Sequence, residues 1–150
     1  MNKKEIKIYN SKAKKIDLES GLKKIIGKKV LTKDGSILGK VKEIISKQDK
    51  IEGIIVKTKR KIYIDLSYIE DLYSDSVMLK INPVEKLISM QVFDKDGVKI
   101  GKVKTVERTS TTNVLKAIYV KKNILSKIRK IPASEIDVDS KNVILNKTYS

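Results

Sequence analysis

The chain repeats itself, and that repeat limits what it can fold into more than any other feature. Residues 28–42 laid over residues 90–104, an offset of 62, match Val30 with Val92, Lys33-Asp34-Gly35 with Lys95-Asp96-Gly97, and Gly39-Lys40-Val41-Lys42 with Gly101-Lys102-Val103-Lys104. Eight of those fifteen positions are identical. Downstream, Ile54-Ile55-Val56-Lys57 falls over Ile118-Tyr119-Val120-Lys121, Ser67 and Ile69 over Ser134 and Ile136, and Val77-Met78-Leu79 over Val143-Ile144-Leu145. The offset grows to 67 and settles at 66, as small loop insertions require. Two homologous units are the simplest reading. They divide the chain into a basic arm over 1–20, a first unit over 21–83 and a second over 84–150, joined near Pro83-Val84. A unit of about 60 residues is marginal alone, so two would gain from packing together.

Each unit reads as short strands punctuated by turns. Ile (23), Val (13) and Thr (7) dominate while Ala supplies only 3 residues; β-branched side chains suit a pleated surface and disfavour helix. Val30-Leu31-Thr32 runs into Asp34-Gly35, and Phe93 into Asp96-Gly97, where Asp-Gly supplies the positive φ of a tight hairpin. Gly39 and Gly101 lie four residues beyond those glycines, positions that suit a bulge or the close approach of another backbone. A polar break over 46–50 separates two apolar runs, Lys61-Ile62-Tyr63-Ile64-Asp65 alternates, and Leu66-Ser67-Tyr68-Ile69 forms a corner before the strands near 69–73 and 77–81. Five or six strands in about 60 residues predict an all-β chain of two tandem small antiparallel β-barrels.

The order Ile26-Gly27-Lys28-Lys29-Val30, Asp34-Gly35-Ser36-Ile37-Leu38-Gly39-Lys40-Val41, Ile54-Ile55-Val56, Ile64-Asp65 with its corner, and Val77-Met78-Leu79 resembles the PRC-barrel domain. The likeness runs through both units. The second departs where Gly27 becomes Ser89, where Pro132 replaces Asp65, and where residues 121–130 form a longer basic loop. The resemblance implies a non-catalytic module. It further implies similarity to archaeal PRC-barrel proteins of the cell-division apparatus that bridge SepF, the anchor of FtsZ, to other division proteins. A protein partner is therefore expected, with a homo-oligomer as a further expectation and membrane proximity only through the partner.

The residues themselves leave little room for catalysis. With no Cys and no His, thiolate and imidazole metal sites, disulfides and His-based acid/base chemistry are excluded. Asp34, Asp96, Asp65 and the pair Glu70-Asp71 could pair as acid and base, but Asp34 and Asp96 precede glycine in turns that favour Asp for backbone bonding. Asp94-Lys95-Asp96-Gly97 lacks the further oxygen ligands and closing Glu of a calcium loop. The spacing of Gly35 with Gly39, and of Gly97 with Gly101, falls in polar hairpins rather than an apolar helix. No nucleotide fingerprint occurs. No catalytic residue, metal or cofactor is expected. Asp34, Gly35, Gly39, Asp96, Gly97 and Gly101 are assigned structural turns.

Charge points instead to recognition. The formal charge is +16, yet 31 of the 34 basic residues are Lys, and only Arg60, Arg108 and Arg129 carry the planar fork that reads phosphate bidentately. Phe93 and six Tyr provide few stacking platforms for single-stranded nucleic acid. The densest basic feature is Lys121, Lys122, Lys127, Arg129 and Lys130, interrupted by Ile124, Leu125 and Ile128. It reads either as a solvated loop or as a docking surface for an acidic partner or RNA. The arm carries six Lys against three acids. Ile6, Tyr9, Ala13 and Ile16 would make an apolar stripe on it if it became helical, facing a partner or an anionic membrane surface; the alternative is a frayed tail. Apolar runs no longer than Gly53-Ile54-Ile55-Val56 predict neither a membrane span nor a signal peptide, hence a cytoplasmic protein, at the division site in the reading above. An RNA- or ribosome-associated maturation factor is the alternative function.

Overall fold

The computed structural model describes residues 15–16, 21–139 and 141–149. Its compact units meet between Asn82 and Pro83. The first contains β1 (Lys15–Ile16), β2 (Lys29–Leu31), β3 (Ile37–Lys47), β4 (Lys50–Lys57), β5 (Lys61–Asp65), β6 (Ile69–Tyr73) and β7 (Ser76–Leu79). These form one sheet in the order β1-β6-β7-β2-β3-β4-β5. The second contains β8 (Gln91–Phe93), β9 (Lys99–Arg108), β10 (Leu115–Lys121), β11 (Arg129–Pro132), β12 (Ile136–Val138) and β13 (Asn142–Leu145), ordered β11-β10-β9-β8-β13-β12. Apart from β1 the two orders are the same: β2 corresponds to β8, and so on to β7 and β13. The all-β, two-barrel architecture follows.

Alternation places the core. In the first unit Val30, Val41, Ile54, Val56, Ile64, Val77 and Leu79 are buried, and in the second their counterparts Val92, Val103, Ile118, Val120, Ile131, Val143 and Leu145 are buried too. Burying each such side chain contributes about 1.5–3 kcal/mol relative to leaving it in water. The 3₁₀ turns Leu66–Tyr68 and Ala133–Glu135 make the corner that carries β5 into β6 and β11 into β12. In the first, Asp65 accepts the Ser67 backbone N–H at 3.0 Å; in the second, Pro132 presets the entry backbone without a side-chain cap.

Three details differ from the pattern expected of the sequence. The first and last, in chain order, of the strands the two units share, β2 with β7 and β8 with β13, pair parallel within otherwise antiparallel sheets, because the intervening strands form the long crossover that a parallel pair requires. The polar break over 46–50 is a two-residue hairpin, with β3 extending to Lys47 and β4 starting at Lys50; Gln48 (φ 51°) and Asp49 (φ 64°) both adopt left-handed backbone, as such hairpins demand. In the arm, Lys15 and Ile16 pair antiparallel with Tyr73 and Leu72 at the edge of β6, so Ile16 lies on a strand instead of completing a helical stripe. The rest of that expectation, Ile6, Tyr9 and Ala13 included, lies outside the described residues. Among the described residues no helix is long and apolar enough to cross a membrane.

Candidate functional site

The two barrels differ most where β4 meets β5 and β10 meets β11. Five residues separate the core partners Val56 and Ile62, but eight separate Val120 and Arg129. The first connection is closed by Thr58, whose N–H donates to the Arg60 carbonyl at 2.7 Å and whose hydroxyl accepts the Arg60 N–H at 3.0 Å. The second is knitted by Asn123 and Ser126. Asn123 Oδ1 accepts the N–H groups of Leu125 and Ser126, both at 2.9 Å, and Ser126 Oγ accepts those of Lys122 at 3.1 Å and Asn123 at 2.9 Å. Short polar side chains that bond their own backbone hold a turn without help from a core. Here the turn projects Ile124 and Leu125 outward, 89% and 95% exposed.

Beside this turn lies an open groove of ≈ 550 Å³. Val98 just before β9, Ile100 at its start and Val120 on β10 supply its apolar side, and Lys99, Lys122, Lys127 and Arg129 its cationic margin. Ile128, half exposed, and Tyr149 complete the walls. Tyr149 reaches the groove from the far end of the chain. Its ring lies 5.2 Å beneath the Arg129 guanidinium, a favourable cation–π distance, and its hydroxyl donates to Glu135. Its backbone N–H donates to Asp94 Oδ2 at 3.3 Å. Burial, then the Glu135 carboxylate, pushes the Tyr149 hydroxyl up to about 12. The same hydroxyl is the main cause that holds Glu135 below its ordinary value.

The basic loop therefore splits into two sets. Lys130 is 3.3 Å from Glu107, which also holds Lys116 at 3.3 Å and accepts the Tyr119 hydroxyl at 2.6 Å. Led by the Tyr119 hydroxyl and the two ammonium groups, these partners bring Glu107 down to about 2. Arg129 is stacked on Tyr149. Lys130 and Arg129 thus have partners inside their own barrel. Lys121, Lys122 and Lys127 form no salt bridge among the described residues. Of the eight residues singled out in this loop, Lys122, Lys127, Ile128 and Arg129 share the groove, Ile124 and Leu125 crown it, Lys121 ends β10, and Lys130 lies on β11 with the Glu107 cluster.

The turn residues serve as hairpin geometry; those of the second unit border the groove, Gly97 and Gly101 flanking its lining residues Val98–Ile100. Asp34 accepts the Ser36 N–H at 3.1 Å and its hydroxyl at 2.8 Å; Gly35 and Gly97 have φ 86° and 83°. In the second unit the turn is held from two residues earlier in the pattern, where Asp94 stands over Thr32. Buried Asp94 accepts the N–H groups of Asp96 at 2.9 Å and Val98 at 3.0 Å, while Asp96 accepts the Thr148 hydroxyl at 2.8 Å. Burial alone would raise the Asp94 carboxyl, but its N–H donors outweigh that and hold it below the ordinary value. At Gly39 and Gly101 a methyl carbon would lie 2.2 Å from the Lys57 carbonyl oxygen and 2.6 Å from that of Lys121. Among the described residues no group of three or more acids is gathered closely enough to hold a metal ion.

This shared architecture agrees with comparison to known families. The family model of the PRC-barrel domain matches residues 17–85 and again residues 81–150. The chain belongs to the PRC-barrel family. No curated protein matches it. PRC-barrel domains are generally non-catalytic interaction modules, and two of them stand in tandem here. What sequence reasoning missed in the second PRC barrel is Tyr149, Glu107, Tyr119 and Glu135. Tyr119 meets Glu107 across 12 positions and Tyr149 meets Glu135 across 14, and no local motif marks such a contact.

Proposed function

We propose that this tandem PRC-barrel protein is a non-catalytic adaptor that holds a protein partner through the loop and groove of its second barrel. The observation that carries the reading is the exposure of Ile124 and Leu125, 89% and 95%, on a turn fixed by its own hydrogen bonds. Apolar side chains held in water beside a concave surface mark interaction sites. The first barrel keeps the short connection and lacks this feature, so the elaboration is not a requirement of the fold. The cationic margin favours an acidic face on the partner. The family resemblance favours a partner in archaeal cell division, one associated with SepF and FtsZ at the cytoplasmic face of the division site. The test is capture from a native lysate after nuclease treatment, comparing the wild-type chain with the double variant Ile124→Ser and Leu125→Ser. The reading expects division proteins retained by the wild type and lost by the variant.

A second reading, an RNA- or ribosome-associated factor, draws on the formal charge of +16 and on Lys121, Lys122 and Lys127. Neutralising phosphates releases condensed ions, so such binding weakens steeply as salt rises, whereas a contact built on apolar burial weakens little. Ribosomal proteins that disappear with nuclease would support the second reading and contradict the first.

A further inference from the structure

The two barrels share a strand order, yet one edge is treated differently in each. In the first, the outer edge of β6 is covered by Lys15–Ile16. In the second, β12 is the terminal strand of its sheet and has no strand on its outer side among the described residues. The registers of the two inner pairings define the equivalence. Leu72 pairs with Val77 and Val138 with Val143, so Val138 occupies the position of Leu72, the residue that faces Ile16. Leu72 is 1% exposed and Val138 is 50% exposed. A strand edge left open presents unpaired N–H and C=O groups that another chain can extend.

The surroundings select the occupant. In a chain of formal charge +16, both edges are acidic: β6 carries Glu70 and Asp71, and the β12 segment carries Glu135, Asp137 and Asp139, with Asp137 and Asp139 exposed. The segment that covers β6 comes from a basic stretch containing Lys12, Lys14 and Lys15. We propose that the outer edge of β12 is a strand-addition site for an extended segment of a partner protein in which Lys or Arg residues accompany an apolar residue. A second copy of this chain is a poorer occupant. Its own Lys15–Ile16 would have to leave β6 to reach β12, so no pairing is gained overall. This site is separate from the groove and does not depend on the reading proposed for it.

The experiment uses the full-length chain, isotope-labelled for amide NMR, and as probe a free peptide of the chain's own residues 11–18. The expected result is saturable shifts at Ile136, Asp137 and Val138. Asp137→Lys, at an exposed position, should keep the spectrum of the folded protein and weaken the peptide about tenfold, because a like charge opposite a strand opposes pairing. A peptide with its three Lys changed to Glu should not bind. Shifts confined to β6, where the peptide would only replace Lys15–Ile16, overturn the proposal, as does binding indifferent to Asp137→Lys. Concentration-dependent shifts at β12 without peptide, lost on removing residues 1–20, would assign the edge to a second copy and overturn it equally.

Discussion

Ser89 holds φ at 76° in the position where Gly27 holds φ at 85°. The backbone around the two is the same. Gly27 N–H donates to the Val41 carbonyl and Ser89 N–H to that of Val103, each at 2.8 Å, and the return bonds from Val41 to Lys28 and from Val103 to Met90 are each 2.9 Å. The second barrel therefore keeps a left-handed residue without the glycine that adopts it freely. An L side chain there costs about 1–2 kcal/mol, partly offset by the greater chain entropy glycine loses on folding. Ser89→Gly should raise the unfolding midpoint by a few degrees. Gly27→Ser should lower it comparably, since no atom crowds Gly27 and the penalty is purely one of backbone. Calorimetry of both variants checks the pair.

Gly39 answers to a different constraint, the approach of a neighbouring strand's carbonyl, and Gly101 meets the same approach in addition to a positive φ of 154°. Gly39→Ala and Gly101→Ala each force the backbone at Lys57 or Lys121 to move. Overpacking of this kind costs about 1–3 kcal/mol, and the upper end applies because backbone, not a flexible side chain, stands in the way. Urea titrations should show a lowered midpoint with unchanged slope.

Acid should destabilise the second barrel through Glu107. Its folded value of about 2 lies below the ordinary 4.5, so the folded state binds the proton less readily than the unfolded one. The stabilisation is complete above pH 4.5 and disappears as pH falls through about 2. Asp94 and Glu135 are shifted in the same direction. Glu107→Gln should lower stability at neutral pH and flatten this acid limb, measured as unfolding midpoint against pH. At the other extreme Tyr149, raised to about 12 from 10, stabilises below pH 10 and ceases to do so as pH rises through 12. Tyr149→Phe should remove that alkaline dependence.

The long connection of the second barrel should be dispensable for folding. Replacing residues 121–128 with residues 57–61 shortens a surface loop by three, a change that alters closure entropy by less than about 1 kcal/mol. Amide NMR should show β10 and β11 intact, while the lysate capture expected of the proposed docking loop is lost.

Local chemistry explains which parts of this architecture can be read from the chain. Repeated Val30/Val92 and Ile54/Ile118 positions carry the core period, and Asp-Gly marks the hairpins because positive φ is a property of the residues at the turn. Gln48-Asp49 escapes the same reasoning, since neither residue is glycine although both take left-handed backbone. The parallel pairing of β2 with β7 has no signature in either strand; it is a consequence of closure. The loop over 121–130 is visible as a run of Lys and apolar residues, but its division is not. Arg129 stacks on Tyr149 and Lys130 meets Glu107 only after residues distant in the chain have been brought together, and the run alone cannot distinguish them from Lys122 and Lys127.

The most direct test places a photo-crosslinking residue at Leu125, and in a second protein at Lys59 in the corresponding short turn, then irradiates each in native lysate after nuclease treatment. The account predicts that position 125 attaches covalently to one defined protein while position 59 does not. Equal, diffuse labelling from both positions, or adducts at 125 that vanish once nucleic acid is digested, would contradict it.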